Sequence, residues 1–411
     1  MISFDDDLKQ RLAALREQNL FRELRRVDSA QGPRIEINGR VFLNFSSNDY
    51  LGLAGHPALA EAAIKAVEKF GAGAGASRLI CGSLAPFHEL EETIADFKQT
   101  GAALTFSTGY ATAVGTICAL LGKDDVIILD KLVHACIVDA VRLSGAKIRV
   151  FAHNDLNDLE DKLKWANRKD ELHESQIKNG KPGTRVTRSS EEKRRVLVVT
   201  EGIFSMDGDA APLREIVALK EKYGAWLMVD EAHATGVIGQ NGRGLADKLG
   251  VSSQIEIQMG TLGKALGASG GYIAGSRSLV DFLVNRARSF IFSTAPVPAA
   301  AAAATAGVRL AQSDEGEERR KILWSHVRKL NPKSESAIVP FILGDEGKAV
   351  AAAARLREQN IFVPAIRHPT VARGAARLRI TLTAAHSVED VATLVAALGD
   401  LKSETANLKS P

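Results

Sequence analysis

Two spacings of apolar residues alternate along this chain of 411 residues. Short apolar runs are separated by stretches in which apolar residues recur every three or four positions. The runs are typical of buried strands, and the longer spacing is typical of helices. Because the two alternate, we predict an α/β fold with a mainly parallel sheet and helices on both faces. The predicted strands are Ala102–Phe106, Val126–Leu129, Ile148–Phe151, Val196–Thr200, Trp226–Val229, Ile255–Met259 and Gly271–Ile273.

The two ends of the chain have different patterns. Residues 5–26 have helical spacing, and Arg34–Phe45 alternates like a hairpin whose turn is Asn38-Gly39. A helix beginning at Pro298 opens a region of shorter strands and helices. We therefore expect a large domain and a small domain, with the N-terminal segment packed on the small one. The proposed division is residues 1–50, 51–290 and 291–411.

Composition excludes several classes of protein. The hydrophobic content of 45% can fill a sizeable core, and no uncharged apolar run has the length of a membrane span. The acidic start does not resemble a signal peptide. Cys81, Cys118 and Cys136 form no C-x-x-C pair, which argues against a disulfide framework or a metal site. We expect a cytoplasmic protein with no membrane partner and no metal.

The net charge of +4 is confined to one segment. Residues 167–195 contain nine Lys/Arg and five Asp/Glu. The rest of the chain therefore has equal numbers of positively and negatively charged residues. Few apolar residues occur there, and Gly and Pro interrupt it. We interpret this segment as a surface insertion and expect no nucleic-acid partner.

Two short motifs indicate the chemistry. Lys264 lies in a glycine-rich turn, and Asp230 ends the predicted strand Trp226–Val229. A lysine amine forms a Schiff base with an aldehyde cofactor. A carboxylate at a strand end keeps a pyridinium nitrogen protonated, which makes the ring an electron sink. Taken alone, a lysine in such a turn is more often a solvated surface residue.

The segment from Asp230 to His233 also has an ATPase interpretation, since Asp-Glu-Ala-His occurs in nucleic-acid-dependent helicases. That function requires an upstream phosphate loop of the form G-x-x-x-x-G-K-[ST]. The chain has none, so the ATPase interpretation is disfavoured.

Other polar residues follow predicted strands. Gly109 and Tyr110 open a predicted helix, whose N-terminus offers unpaired amides to a phosphate, and Thr261 is a candidate second phosphate ligand. His134 could stack on a cofactor ring, and Ser205 could reach the ring's 3'-oxygen, as could His233. An ordinary turn, a structural hydrogen bond and a simple loop are the alternatives for these residues.

Arg377 and Arg379 occupy one predicted strand, and alternation puts both on the same face. A guanidinium group binds a carboxylate through two hydrogen bonds, so one of them could hold an amino acid. Surface ion pairing is the alternative.

Taken together, these residues resemble the α-oxoamine synthases, which are enzymes that use pyridoxal 5'-phosphate (PLP). The resemblance covers nearly the whole chain and departs from the family at His368 and Ala372, where prolines are usual. It implies a PLP-dependent transferase of the aspartate-aminotransferase type (fold type I) and a homodimer. Its most specific segments are Asn44–Leu53, Gly75–Gly82, Phe151–Asp155, Thr200–Asp209 and Ala365–Val371.

The resemblance also implies roles for individual residues. Lys264 is the expected Schiff-base lysine and general base, Asp230 the partner of the pyridine nitrogen, and His134 the ring-stacking residue that also contacts substrate. The remaining roles are the phosphate site (Gly109, Tyr110, Thr261), the 3'-oxygen partners (Ser205, His233), the carboxylate clamp (Asn48, Arg379) and the acyl contacts (Arg25, Thr370).

The implied reaction is a decarboxylative condensation of L-alanine with a pimeloyl thioester, carried on coenzyme A or on acyl carrier protein. Relatives that use glycine or serine are the main alternative, of the 2-amino-3-ketobutyrate ligase, 5-aminolevulinate synthase or serine palmitoyltransferase type. A scaffold subunit without activity is a further alternative, but it would have no need for Lys264.

Overall fold

The computed structural model describes residues 2–168 and 194–407. Residues 169–193, which make up most of the expected surface insertion, lie outside the described residues. Within the described part of the chain, no helix has the length and apolar character needed to cross a membrane.

The strands of the described residues are β1 (Arg34–Ile37), β2 (Arg40–Asn44), β3 (Ala102–Phe106), β4 (Val126–Asp130), β5 (Lys147–Phe151), β6 (Val196–Glu201), β7 (Trp226–Asp230), β8 (Ile257–Thr261), β9 (Gly271–Gly275), β10 (Ile338–Gly344), β11 (Ile361–Phe362), β12 (Ala365–Ile366) and β13 (Ala376–Thr381).

The α-helices of the same residues are α1 (Phe4–Glu17), α2 (Pro57–Phe70), α3 (Ala85–Lys98), α4 (Gly109–Leu120), α5 (Ala135–Ser144), α6 (Leu156–Asn167), α7 (Leu213–Tyr223), α8 (Leu245–Lys248), α9 (Arg277–Arg286), α10 (Arg288–Ile291), α11 (Pro298–Gln312), α12 (Asp314–Leu330), α13 (Glu346–Glu358) and α14 (Val388–Asn407). Gln240–Gly242 and Ser252–Gln254 form 3₁₀ helices.

The central sheet has the strand order β3-β9-β8-β7-β6-β4-β5. Strands β8, β7, β6, β4 and β5 are parallel, and β9 runs antiparallel to both of its neighbours. Neighbouring residues of one strand enter different cores: Ile128 packs on one side of the sheet and Ile127 on the other. Burial on both faces accounts for the continuous apolar runs in the sequence. The prediction of a mainly parallel sheet covered on both faces is confirmed.

Strands from the N-terminal and C-terminal parts of the chain form two smaller sheets. The predicted hairpin is confirmed as β1 and β2, and both Asn38 (φ 52°) and Gly39 (φ 73°) have the left-handed backbone that a tight hairpin turn requires. Strand β11 lies parallel to β2, with Ile361 opposite Leu43. The other sheet has the order β10-β13-β12. The N-terminal hairpin is therefore hydrogen-bonded to a C-terminal strand.

Two predicted elements differ from the structure. The predicted helix over residues 5–26 is wrong beyond Glu17, because Asn19 adopts a left-handed conformation (φ 56°) and the chain to the hairpin is irregular. The spacing of leucines breaks at the same place, between Leu15 and Leu20. The strand predicted at Ile255 begins two residues later, because a 3₁₀ helix precedes it and pairing with β7 starts at Ile257.

Candidate active site

Polar residues end four neighbouring strands of the central sheet. Asp130, Glu201, Asp230 and Thr261 are the last residues of β4, β6, β7 and β8. Carboxyl ends of parallel strands meet at one edge, which is where α/β sheets bind ligands. The three carboxyl side chains are buried, and Glu201 lies directly opposite Asp230 in the sheet. This edge therefore concentrates acidic groups out of contact with water.

Lys264 lies on the turn after β8 and points its amine at this edge. Its Nζ atom is 2.8 Å from Nε2 of His233. Burial lowers the pKa of Lys264 to about 8, although the carboxyl groups of Asp230 and Glu201 act in the opposite direction. A larger fraction of the amine is therefore neutral at physiological pH than for an ordinary lysine, and only a neutral amine attacks an aldehyde.

His233 connects Lys264 to the N-terminal part of the chain. Its Nδ1 atom lies 2.6 Å from the hydroxyl of Tyr50, which is fully buried. Burial holds the pKa of His233 well below its usual range, and the positive charges of Lys264 and Arg379 lower it further. His233 is therefore a neutral imidazole, with one ring nitrogen as donor and one as acceptor.

Asp230 is placed to bind a cation. Burial raises its pKa, while the positive charge of Lys264 lowers it. One oxygen accepts a hydrogen bond from the amide of Ala232 at 2.9 Å. A buried carboxylate is stable when a positive partner offsets its desolvation, so Asp230 suits a protonated ring nitrogen.

His134 begins helix α5, and its ring orientation is fixed by its own helix. Its Nδ1 atom accepts a hydrogen bond from the amide of Cys136 at 3.2 Å and lies 3.0 Å from that residue's Sγ. Burial lowers the pKa of His134, although Asp230 raises it. Because Nδ1 is an acceptor, the proton of the neutral ring is on Nε2, which is then a donor.

Glu201 is hydrogen-bonded to both His134 and Ser205. Its carboxyl group accepts hydrogen bonds from the backbone amides of both residues. Burial, followed by the neighbouring Asp230, raises the pKa of Glu201 well above its usual range. Glu201 is a residue of the site that was not predicted from the sequence. The signal was present, because an acidic residue ends the otherwise uncharged run Val196–Thr200.

The first turn of α4 has unpaired backbone donors. Thr108 accepts from the amides of Ala111 and Thr112, through its hydroxyl (3.0 Å) and its carbonyl (3.0 Å) respectively. No described residue accepts from the amides of Gly109 and Tyr110. A side chain at Gly109 would meet only the end of Met259, at 3.8 Å. The space at the Cα of Gly109 is therefore open, and the helix start can receive a phosphate from that side.

The hydroxyl groups of Thr261 and Tyr110, the other two residues expected at the phosphate, both have hydrogen-bond partners within the protein. The hydroxyl of Thr261 donates to the carbonyl of Gly270 at 2.9 Å and accepts from the amide of Gly263 at 3.3 Å. Thr261 thus fixes the turn that carries Lys264. The ring of Tyr110 is half exposed, and its hydroxyl donates to Asp139 at 3.1 Å.

Arg379 has a donor with no partner. Its Nε donates to the carbonyl of Ser205 at 2.6 Å, and Nη1 donates to Oδ1 of Asn48 at 3.1 Å. Its Nη2 is buried and has no described residue within hydrogen-bond geometry, although the hydroxyl of Tyr50 is a near neighbour of the guanidinium group. A buried donor without a partner costs about 1–3 kcal/mol, so an anion that binds there removes this cost.

Arg377, two residues earlier, has its partners within the protein. It donates to Asp207 at 2.6 Å and to the carbonyl of Met206 at 3.1 Å. The two arginines share a face of β13, as the alternation indicates, but only Arg379 is left with a buried free donor.

The structure does not bring Arg25 to Thr370, although both were expected to contact the acyl substrate. Arg22 donates to the hydroxyl of Thr370 at 3.3 Å instead. The guanidinium carbon of Arg25 lies 5.9 Å from the ring centre of Phe362. Both arginines lie in the irregular chain after Glu17, where the predicted helix does not continue.

Comparison with known proteins places this geometry in a family context. The model of the aminotransferase class I and II family matches residues 40–398. The chain is 45% identical over 403 residues to an 8-amino-7-oxononanoate synthase of Geobacter sulfurreducens, which covers 96% of this chain and 97% of that protein.

Solved structures show the same fold. A serine palmitoyltransferase from S. paucimobilis with bound PLP–myriocin aldimine has a TM-score of 0.87 and 29% identity, over 99% of both chains. An 8-amino-7-oxononanoate synthase from Francisella tularensis has a TM-score of 0.72 and 26% identity, over 90% of this chain and 99% of that one. The predicted fold class, a PLP-dependent transferase of the aspartate-aminotransferase type, is confirmed.

Proposed function

The chain belongs to the aminotransferase class I and II family and, within it, to the 8-amino-7-oxononanoate synthases, and we propose that it condenses L-alanine with a pimeloyl thioester. The products are 8-amino-7-oxononanoate, carbon dioxide and a free thiol, in biotin biosynthesis. The observation that carries the proposal is the buried, unpartnered Nη2 of Arg379 in the same site as Lys264. An amine nucleophile and a buried carboxylate receptor together suit an amino-acid substrate.

When bound, PLP supplies an aldehyde that reacts with amines and a ring that stabilises negative charge on the substrate's α-carbon. The free amides at the start of α4, the open space at Gly109 and the buried carboxylate of Asp230 fit its phosphate and ring nitrogen. We assign Gly109, Tyr110 and Thr261 to the phosphate, Asp230 to the ring nitrogen, His134 to the ring face, and Ser205 and His233 to the 3'-oxygen.

Lys264 is the proposed general base. Its amine lies at the sheet edge where PLP would bind, and as a free amine it would take the proton from the substrate's α-carbon. The pKa of about 8 lets Lys264 accept a proton near neutral pH and release it again. A general base of this kind contributes roughly 10²- to 10⁴-fold in rate. His233, 2.8 Å away, keeps the amine oriented.

Arg379 and Asn48 are the proposed receptors for the alanine carboxylate. Nη2 is the free donor, and the bond between Nη1 and Asn48 fixes the plane of the guanidinium group. A carboxylate bound there gains charge-assisted hydrogen bonds. The clamp holds the carboxylate in place until it leaves as carbon dioxide.

The acyl donor is assigned to the region around Thr370. Arg22 donates to Thr370, and Arg367 has both Arg22 and Arg25 as charged neighbours. Burial lowers the pKa of Arg367, and these like charges lower it further. No described carboxylate forms an ion pair with Arg22, Arg25 or Arg367. An external carboxylate, such as the far end of a pimeloyl chain, would relieve this repulsion.

We also propose that the chain works as a homodimer in the cytoplasm. Ile80 and Phe292 are exposed apolar residues on two segments joined by the bridge between Ser77 and Thr294. An exposed apolar patch suits a second copy of the chain. The free cysteines suit a reducing compartment.

A product assay tests the function. Alanine, glycine and serine would each be combined with pimeloyl, acetyl, succinyl and palmitoyl thioesters, on coenzyme A and on acyl carrier protein. We expect product from alanine with the pimeloyl thioester, none with Lys264→Ala, and normal product with Lys248→Ala, a change at an exposed lysine. Preference for serine with the palmitoyl thioester, or for glycine with the acetyl or succinyl thioester, would assign the chain to another activity.

A further inference from the structure

His153 lies outside the group of residues assigned above, directly after β5. Its Nδ1 atom is 3.0 Å from Oδ1 of Asp130, and its Nε2 atom is 2.7 Å from Oδ2 of Asp209. Asp130 is fully buried at the end of β4. The imidazole and the ring of Phe204 pack at right angles, with ring centres 4.3 Å apart. His153 therefore bridges the central sheet and the turn that follows β6.

Both ring nitrogens of His153 face carboxylate oxygens, so both act as donors. Burial lowers the pKa of His153, but the hydrogen bonds to Asp130 and then to Asp209 outweigh it and raise the pKa to about 10. His153 is thus an imidazolium ion at neutral pH. Charge-assisted hydrogen bonds on both sides hold the ring more firmly than neutral ones.

The turn that His153 holds is the one that supports the arginines of β13. The carbonyl of Ser205 accepts the Nε hydrogen bond of Arg379 at 2.6 Å. The carbonyl of Met206 and the carboxylate of Asp207 accept from Arg377. The direction of the Arg379 guanidinium group therefore depends on where this turn lies.

The other side of the same turn packs closely against Ser336 and β10. The hydroxyl of Ser336 donates to the carbonyl of Gly208 at 2.8 Å. Gly208 has a left-handed backbone (φ 75°), and a side chain there would come within 2.4 Å of the carbonyl of Ile338. The turn is therefore held between β10 and the segment of His153 and Asn154, whose Nδ2 atom also donates to Asp209 at 3.1 Å. Removal of His153 takes away the charged one of these two contacts.

We propose that His153 is a positioning residue for recognition of the amino-acid carboxylate. It fixes the turn through Asp209, and the turn aims Arg379 through the carbonyl of Ser205. His153 has no hydrogen bond to Lys264, Asp230 or His233 among the described residues, so its effect is separate from the cofactor groups. The inference rests on the proposed role of Arg379 as the carboxylate receptor.

The test compares two amines on the PLP-loaded enzyme. Alanine carries the carboxylate, and ethylamine is the same molecule without it. Dissociation constants for both would be measured by absorbance titration in the wild type, in His153→Gln and in Asp209→Asn. We expect alanine to bind about tenfold more weakly in both variants, close to 1.4 kcal/mol, while binding of ethylamine is unchanged. The readout is the ratio of the dissociation constants for alanine and ethylamine, because a general loss of structure would weaken the binding of both.

His56→Gln is the matched control. His56 also contacts a carboxylate, Glu315 at 3.1 Å, but it lies at the start of α2. We expect both dissociation constants to remain at wild-type values in this variant. Asp209→Asn keeps the test informative if His153→Gln does not fold.

A double-mutant cycle of His153→Gln and Arg379→Ala separates this inference from the proposed function. If His153 acts through Arg379, the two changes together cost no more for alanine than Arg379→Ala alone. Additive losses, or an unchanged ratio in both His153→Gln and Asp209→Asn, would overturn the inference while leaving the role of Arg379 intact. If Arg379→Ala itself leaves alanine binding unchanged, the carboxylate receptor is misassigned and both proposals fail.

Discussion

Nζ of Lys264 and Nε2 of His233 lie 2.8 Å apart, and both groups have a lowered pKa. Burial is the main cause for each, and each positive charge disfavours the other across this short distance. The pair therefore carries at most one positive charge near neutral pH. Tyr50 caps the far nitrogen of His233 and fixes its ring, so the amine of Lys264 has one orientation.

The lowered pKa of Lys264 predicts the pH dependence of cofactor uptake. Only the neutral amine reacts with an aldehyde, so the rate rises with pH and levels off above the pKa. With a pKa of about 8, about a quarter of the amine is neutral at pH 7.5, against about 0.1% for an ordinary lysine. Stopped-flow absorbance of the apoprotein mixed with PLP should show an inflection near pH 8.

Asp230→Asn tests how far the neighbouring carboxylate opposes the lowering of that pKa by burial. The carboxylate of Asp230 raises the pKa of Lys264, so its removal should shift the inflection to lower pH. Borohydride reduction and peptide mapping should find the label on Lys264 in both proteins. An inflection near 10, or label on another lysine, would contradict the assignment.

The two arginines of β13 should differ in their effect on alanine. Arg379→Ala removes the free donor Nη2, and a hydrogen bond to a charged group contributes roughly 1.5–3 kcal/mol. The dissociation constant for alanine should rise about ten- to a hundred-fold. Arg377→Ala should do much less, because Arg377 is already paired with Asp207. Equal losses in the two variants would show that the receptor is not Arg379 alone.

The central sheet could be predicted from the sequence because its strands are buried on both faces. Val126–Leu129 and Val196–Thr200 are uncharged runs bounded by polar residues, and β4 and β6 begin where these runs begin. The fold also places strand-end residues together, so Asp230 and Lys264 could be expected at one edge before their contacts were known.

Contacts made by irregular segments could not be predicted in this way. The left-handed backbone of Asn19 prevents helix α1 from continuing, but an asparagine in the sequence does not by itself specify that conformation. The pairing of Tyr50 with His233 joins residues 183 positions apart in the sequence. Such a contact depends on the packing of separate elements, and periodicity along the chain carries no information about it.

Arg22 and Arg25 can be distinguished kinetically. Arg22 touches Thr370, whereas Arg25 lies over Phe362. Arg22→Ala should therefore raise KM for the pimeloyl thioester by about tenfold, close to 1.4 kcal/mol, with binding of alanine unchanged. Arg25→Ala should raise it less. Steady-state kinetics with varied thioester measures both, and a larger effect from Arg25→Ala would return the acyl contact to the residue suggested by the sequence.

A buried ion pair includes the residue that directly follows Asp230. Nζ of Lys98 lies 2.5 Å from Oε2 of Glu231, the residue after Asp230, and also donates to the carbonyl of Arg243. Both side chains are buried. Removal of one partner from such a pair leaves an uncompensated charge, which typically costs about 3–5 kcal/mol. Lys98→Met should reduce the free energy of unfolding in urea by this amount.

A second change should restore part of that loss. Lys98→Met combined with Glu231→Gln removes both charges of the pair. The amide oxygen can still accept from the amide of Ala246, as Oε1 of Glu231 does at 2.9 Å. The double variant should therefore be more stable than Lys98→Met alone. Lys222→Met, which breaks an exposed pair with Glu160, is the control and should change the unfolding midpoint little, because exposed ion pairs contribute weakly. If Lys98→Met costs no more than this control, water reaches the pair and the charge of Glu231 is not isolated in the core.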